Sequence, residues 1–313
     1  MRLASFSRVF PEQTIAVEDC VMAAGNQPLE AKAFRRIFGI DEVRKWQDDF
    51  NISDVLPKML DDLQHGQSVL PDAFIYVHAC PLHATSAGPT LASLQETHPF
   101  LADVDQIYEM DQNCCASLFW ALDAANNMLN RGTANCVVII GGESFSDLPT
   151  KERYMPACTI LGDAFVGLVV DGQTNGTQIS DIVLQSTPAF HSGLYGSDKD
   201  VHAFNHSQVK LTTKMLDEMD FDPQSGEPIL PHNINSFIWA QYCVNSGTAR
   251  DDVWLNLLAD YGHCCTTDAF LNIDRFQSDE TTDSAVLIGV GQGGFVGGCR
   301  MRKPVTGGTY ATC

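Results

Sequence analysis

Three short segments of this chain carry side chains suited to chemistry. The first is Asp111-Gln112-Asn113-Cys114-Cys115-Ala116-Ser117, running into an apolar stretch. A cysteine at the start of a helix feels the positive end of the helix dipole, which lowers a thiol pKa and makes a nucleophile. The same residue type also serves as a small core side chain. The second is Pro231-His232-Asn233-Ile234-Asn235, after Ile229-Leu230. A histidine at a strand end can hold a proton beside a cleft, or it can cap the next helix. The third is Tyr261-Gly262-His263-Cys264-Cys265-Thr266-Thr267. The glycine turns the chain and presents His263. A metal would draw on His and Cys, but His-Cys-Cys in direct succession cannot easily place three side chains on one ion, so no metal is expected.

Other motifs exclude chemistries. Gly289-Val290-Gly291-Gln292-Gly293-Gly294 matches a dinucleotide fingerprint formally. That fingerprint requires a following helix and an acidic residue about 20 positions on. Only 19 residues follow Gly294, with Gly297, Gly298 and Pro304 among them, so the dinucleotide reading fails. The glycines instead suit close approach of backbone N–H groups to a reacting carbonyl. GxxxxGK[ST], HExxH, GxSxG and CxxC are all absent, which removes support for P-loop, zincin, serine-hydrolase and zinc-ribbon readings.

These segments need elements to hold them. Apolar runs at Phe74–His78, Cys136–Ile140, Val166–Val170 and Val286–Val290 read as buried strands. Helical stretches lie between, notably Ala116–Leu129 and Leu211–Met219. Strands alternating with helices predict a layered α/β fold with a largely parallel sheet. The helix over 116–129 is apolar nearly all round, which predicts that it is enclosed between two sheets. The polar stretch Asp171–Ile179 is the candidate boundary between two halves.

The 313 residues allow one large domain or two of about 150. Lys and Arg total 19 against 39 Asp and Glu, a net charge of −20. Nucleic-acid binding needs a broad basic face, and anionic lipid repels such a chain, so neither is expected. No apolar run reaches the roughly 20 residues of a membrane span, and the N-terminus carries no leader-like core. Eleven cysteines, an odd number without regular spacing, suit a reducing, cytoplasmic setting.

The order of the pieces resembles the thiolase-like superfamily, and within it the β-ketoacyl-ACP synthase III type of condensing enzyme and its acyltransferase relatives. Cys115-Ala116-Ser117 followed by Ala121-Leu122 is similar to the nucleophile segment of that family, which favours Cys115 over Cys114. Pro231–Asn235 resembles its PHQAN segment, and Tyr261–Asp268 its HGNTSAAS segment, with His263 where the family has Asn. Gly39-Ile40 with Arg44, Gly142-Glu143-Ser144, Gly162-Asp163-Ala164 and Gly293-Gly294-Phe295 resemble further family segments.

The resemblance implies a thiolase-like five-layered αβαβα sandwich of two similar halves, residues 1–172 and 173–313, usually homodimeric. It implies ping-pong acyl transfer without a cofactor, with acyl-CoA or acyl carrier protein as donor. Cys115, His232 and His263 are the expected catalytic residues. The N–H groups of Cys115 and Gly293 are the expected oxyanion hole, and Asn235, Gly294 and Phe295 are expected at the substrate. His232 is expected to stabilise the thiolate. The second half-reaction divides. A malonyl thioester loses CO₂ and condenses, with His232 and His263 holding the enolate, in specialised metabolism; this reading is slightly favoured. Alternatively the acyl group passes to an O, N or S nucleophile with a histidine as base. An inactive partner subunit and a thiolytic or hydrolytic activity are the remaining alternatives. An acidic carrier would need a local basic spot, for which Arg35, Arg36 and Lys210 are candidates.

Overall fold

The structure is a computed structural model that describes residues 1–65, 67, 69–79, 84–193 and 196–304, with backbone alone over 84–90. The strands are β1 (Arg2–Val9), β2 (Gln13–Ala16), β3 (Glu42–Lys45), β4 (Ala73–Val77), β5 (Gln106–Met110), β6 (Cys136–Glu143), β7 (Tyr154–Met155), β8 (Thr159–Ile160), β9 (Ala164–Asp171), β10 (Thr177–Ser186), β11 (Ile229–Leu230), β12 (Ser284–Gly291) and β13 (Phe295–Arg302). The α-helices are α1 (Val17–Ala23), α2 (Pro28–Ala33), α3 (Leu56–Gln64), α4 (Ala84–Thr97), α5 (Ser117–Arg131), α6 (Asp198–Glu218), α7 (Ser236–Ser246), α8 (Leu258–Tyr261) and α9 (Ile273–Ser278).

The main sheet runs β11-β12-β13-β10-β1-β9-β6-β4-β5. It is mixed rather than largely parallel. β4 pairs in parallel with β5 and β6, and β11 with β12; the other pairings are antiparallel. The sequence β4-β6-β9-β1 has the same pattern of directions as β11-β12-β13-β10. The two stretches join where Arg2 and Leu3 of β1 face Gln178 and Thr177 of β10, and Ile179 N–H donates to Met1 O beside them. In place of a second β5, Val253 makes a single parallel bridge to Ile229.

Alternation along the strands divides the core. Val137 and Ile139 of β6 face one cluster with Leu118, Phe119, Ala121 and Leu122 of α5, while Val138 and Ile140 face another with Met59, Leu60 and Leu63 of α3. On β12, Ala285 and Leu287 join the α5 cluster, whereas Val286 and Ile288 meet Met215 of α6 and Trp239 of α7. Period-two burial of this kind needs both sheet faces covered. The layers are therefore α3, strands, α5 with α9, strands, and α6 with α7. The contact between α5 and β13 is tight enough to require glycine. A Cβ on Gly297 would lie 2.5 Å from Phe119 Cβ.

The expected strands all form, within a few residues. The expected helix over 211–219 is only the end of α6, whose start is set by a capping box between Ser197 and Asp200. The central helix is enclosed over its first half; Asn127 and Asn130 in its second half are exposed.

Candidate active site

Cys115 sits in a single 3-10 turn, Cys114–Ala116, immediately before α5. The chain enters that turn through Cys114 at φ +53°, a left-handed conformation uncommon outside glycine. Asn113 N–H donates to Ser117 Oγ at 3.2 Å and Ala116 N–H to Asn113 O at 3.2 Å, which fixes the turn on the helix end. Gly291 packs against it so closely that a Cβ there would lie 2.3 Å from Asn113 O.

The C-terminal stretch of the chain brings a second turn of the same kind. His263 N–H donates to Ile160 O, and Gly262 lets the chain pass against Val43. A 3-10 run, Cys265–Phe270, follows, with Cys265 at φ +50°. Asp268 on this run points back. Its Oδ2 accepts from His263 Nδ1 at 2.5 Å and from Asn233 N–H at 2.8 Å, and its Oδ1 accepts from Cys264 N–H at 2.7 Å. His263 Nε2 then lies 3.5 Å from Cys115 Sγ. Asp268, His263 and Cys115 thus form a buried carboxylate–imidazole–thiol relay.

The thiolate was expected beside His232, but its hydrogen-bond partner is His263. His232 stands edge-on to His263, with ring centroids 4.7 Å apart. The His232 carbonyl accepts from Trp239 Nε1–H at 2.8 Å, which pins its backbone, while its own Nε2 is buried without a partner.

Electrostatics follow from these contacts. Burial opposes charge on His263, but Asp268 and the Cys115 sulfur outweigh it and hold the imidazole well above its ordinary pKa. Burial, with the adjacent His263, drives His232 well below its own, so that ring is neutral. The Cys114 thiol contact pulls Cys115 down, yet Cys265 and burial prevail and push its thiol up to about 12. The helix dipole alone therefore does not free this thiol, contrary to expectation. Charge separates only when His263 takes the proton.

Cys115, His232 and His263 line one cavity of about 370 Å³, walled mostly by apolar groups such as Phe145, Leu148, Met155 and Phe204. Cys265 and Cys114 also face it. Val290 and Gln292 are its contribution from the β12–β13 turn. Gly293 is not on the wall; it packs toward Phe295 and Gly193. Gly294 fits beneath Thr187 O and Phe190, and Phe295 stands edge-on to Trp120 at 5.9 Å. Asn235 caps α7: its Oδ1 accepts from Ile238 N–H at 2.9 Å and its Nδ2 donates to Cys158 O at 2.8 Å. Gly294, Phe295 and Asn235 thus support the site from outside the cavity rather than lining it. Arg35 is not free either. It grips Glu18 and Asp41 at 2.6–2.8 Å, which leaves Arg36 and Lys210 as the exposed cations of the expected basic spot.

Three residues escaped sequence reasoning. Asp268 lies five positions after His263, and only the 3-10 run folds it back. Cys265 reaches the cavity only because of its left-handed backbone. Glu143, at the end of β6, is buried behind the site, accepting from Ala79 N–H and from Thr266 Oγ at 3.0 Å. Burial raises its pKa to about 8, despite those hydrogen bonds.

Comparisons with known proteins agree with this architecture. A family model described as 3-oxoacyl-[acyl-carrier-protein (ACP)] synthase III matches residues 110–188, a stretch that holds Cys115. The β-ketoacyl-[acyl-carrier-protein] synthase III of Anaplasma marginale is 24% identical over 163 residues, 46% of this chain and 50% of that protein. The chain thus matches about half the length of this curated relative. Among solved structures, 3-oxoacyl-[acyl-carrier-protein] synthase III of Aquifex aeolicus superposes with TM-score 0.76 at 16% identity, covering 96% of this chain and 99% of that one. The synthase III of Thermus thermophilus gives 0.74 at 19%, covering 96% and 99%. OleA of Xanthomonas campestris gives 0.78 at 13%, covering 96% of each chain. The chain has the thiolase-like α/β fold, as expected.

Proposed function

We propose that this chain is an acyl-thioester-dependent acyltransferase of the β-ketoacyl-ACP synthase III type, working by a ping-pong acyl-enzyme on Cys115. The observation that carries this reading is the Asp268–His263–Cys115 relay at the wall of a largely apolar cavity. His263 takes the thiol proton, and the thiolate attacks the thioester carbonyl. The Cys115 N–H is one oxyanion donor, and the Gly291–Gly294 turn against the nucleophile is the source of the second. His263 then protonates the departing thiol.

Asp268 bears on the second half-reaction. It accepts a hydrogen bond from His263 Nδ1, so a neutral His263 presents a bare Nε2 to the acyl-enzyme. The imidazolium that the raised pKa favours instead presents an Nε2–H, which can hold an enolate oxygen. Transfer to an O, N or S nucleophile that must lose a proton is the alternative reading, supported by the neutral form of His263. Decarboxylative condensation is favoured by the likeness to synthase III proteins and by the unpartnered His232 Nε2, which can give an enolate one N–H. The donor is acyl-CoA or an acyl carrier protein, and a homodimer is the proposed assembly.

Intact-mass measurement after incubation with acyl-CoA tests the first half: an adduct forms, and Cys115→Ala abolishes it. An adduct that persists in that variant transfers the role to Cys114. Offering the acyl-enzyme malonyl thioester, then amine, alcohol and thiol acceptors, tests the second half. CO₂ release with a C–C product would overturn the base-assisted reading.

A further inference from the structure

The sulfurs of Cys115 and Cys265 and a ring nitrogen of His263 all lie within 4.8 Å of one another, and all three residues are buried at the cavity wall. Sequence alone argues against such a set, because His263, Cys264 and Cys265 are consecutive. The structure removes that objection. Cys264 turns away, its Sγ donating to Tyr261 O at 3.5 Å, while the left-handed Cys265 turns inward. The third ligand comes from the other turn, as Cys115.

Two features go beyond proximity. A tetrahedral zinc, with Zn–S about 2.3 Å and Zn–N about 2.0–2.1 Å, sets sulfur and nitrogen about 3.5 Å apart. Cys115 Sγ and His263 Nε2 stand at 3.5 Å already. The other ring nitrogen of His263 faces a carboxylate, Asp268 Oδ2, at 2.5 Å. That is the outer-shell arrangement that orients metal-binding histidines and strengthens them as ligands. Two sulfurs and one imidazole select zinc and other thiophilic cations over magnesium or calcium.

We propose that Cys115, Cys265 and His263 form a zinc site, open on the cavity side, that caps the nucleophile reversibly. Both thiols, and Nε2 of the His263 imidazolium, give up their protons to solvent as two Zn–S bonds and one Zn–N bond replace waters of the hydrated ion, and no electron is transferred. The binding stands on the geometry; only its consequence, blocked acylation, rests on the acyltransferase reading. Physiologically the site would tie acyl transfer to free zinc.

The test uses Co²⁺ as a spectroscopic probe and alkylation of Cys115 by iodoacetamide as a readout independent of acyl transfer. The expected result is one Co²⁺ per chain with cobalt–thiolate charge-transfer absorption, displaced by Zn²⁺. Zinc protects Cys115 from alkylation and a chelator restores it. Loss of a mere outer-shell partner costs about 10–100-fold in affinity, so Cys265→Ala weakens binding by about tenfold or more. Cys265→Ser, which keeps the size of the side chain, repeats the loss, and Cys264→Ala leaves binding as in the parent. Cobalt binding without thiolate absorption, or Cys265 variants with the parent's affinity, overturns the proposal. If the parent shows no acyl adduct, the spectrum and the alkylation still decide the metal site.

Discussion

Replacing Asp268 by Asn tests the relay most directly. Three donors converge on the carboxylate: His263 Nδ1 at 2.5 Å and Asn233 N–H at 2.8 Å on one oxygen, Cys264 N–H at 2.7 Å on the other. An amide has one oxygen, so its NH₂ must oppose at least one of them. If the NH₂ takes the Oδ2 position, it faces His263 Nδ1 and forces the ring proton onto Nε2. His263 then cannot accept from Cys115. Where the same exchange traps the wrong tautomer in a serine protease, kcat falls about 10⁴-fold. At about 1.36 kcal/mol per decade, that is about 5.4 kcal/mol. If the NH₂ instead opposes Cys264 N–H, the tautomer survives but the charge is lost. A hydrogen bond to a charged group contributes about 1.5–3 kcal/mol, or roughly 10–150-fold. The expected loss in the acylation rate thus lies between about 10-fold and 10⁴-fold. Rapid-quench intact-mass measurement of the acyl-enzyme reads it directly. Iodoacetamide alkylation against pH adds a second reading, because His263 can draw the proton from the parent's thiol and not from the variant's, so the parent reacts at lower pH. An Asp268→Asn enzyme that acylates within about threefold of the parent, with the parent's pH profile, would refute the relay, since a change that small is below 1 kcal/mol.

Other consequences follow from groups around the site. Arg153 is fully buried in a two-pronged pair with Asp163 at 2.7 and 3.0 Å, so Arg153→Met strands a buried carboxylate and lowers unfolding stability by about 3–5 kcal/mol in a denaturant titration. Glu143 rises on folding from 4.5 to about 8, so the folded state holds its proton more tightly. Its contribution is complete below pH 4.5 and fades as pH climbs to about 8, by at most about 1.36 kcal/mol per unit; Glu143→Gln flattens that slope in melting curves. Gly291→Ala drives a Cβ toward Asn113 O and displaces the nucleophile turn; a shift of about 1 Å costs roughly 10²-fold in acylation rate, alongside about 1–3 kcal/mol of stability.

Much of this molecule is legible in the sequence because its strands are buried on both faces. Cys136–Glu143, Ala164–Asp171 and Ser284–Gly291 read as continuous apolar runs for that reason. The start of α6 was not legible, since its first turns carry Asp, Lys and His and show no apolar stripe. In the site, Cys115, His232 and His263, picked out by residue type and order, meet at one cavity. The partner of the thiol was not legible, because it is set by how two turns distant in sequence meet. Nor were Asp268 and Cys265, whose placement depends on a 3-10 run and a left-handed residue that no local pattern announces.

Those two turns also explain why the site is where it is. Each lies just ahead of the central helical layer, Cys114–Ala116 before α5 and Cys265–Phe270 before α9. Each contains a cysteine with positive φ, Cys114 and Cys265. A non-glycine residue in that conformation is costly, about 1–3 kcal/mol where the surroundings enforce it, and such costs persist mainly where a site uses them. Here the two strained cysteines turn the chains face to face across one cavity. The turn ahead of α5 delivers Cys115, and the turn ahead of α9 delivers His263 together with Asp268, which holds its Nδ1. Neither half of the sheet holds a complete relay. The relay should therefore weaken whenever the junction between the halves loosens, even if every relay residue is retained. A substitution at the β1–β10 seam, such as Leu3→Gly opposite Thr177, should lower the acylation rate of the folded protein and leave the local turn Cys114–Ala116 intact. Unchanged acylation in that variant would show that the central helices alone hold the two turns together.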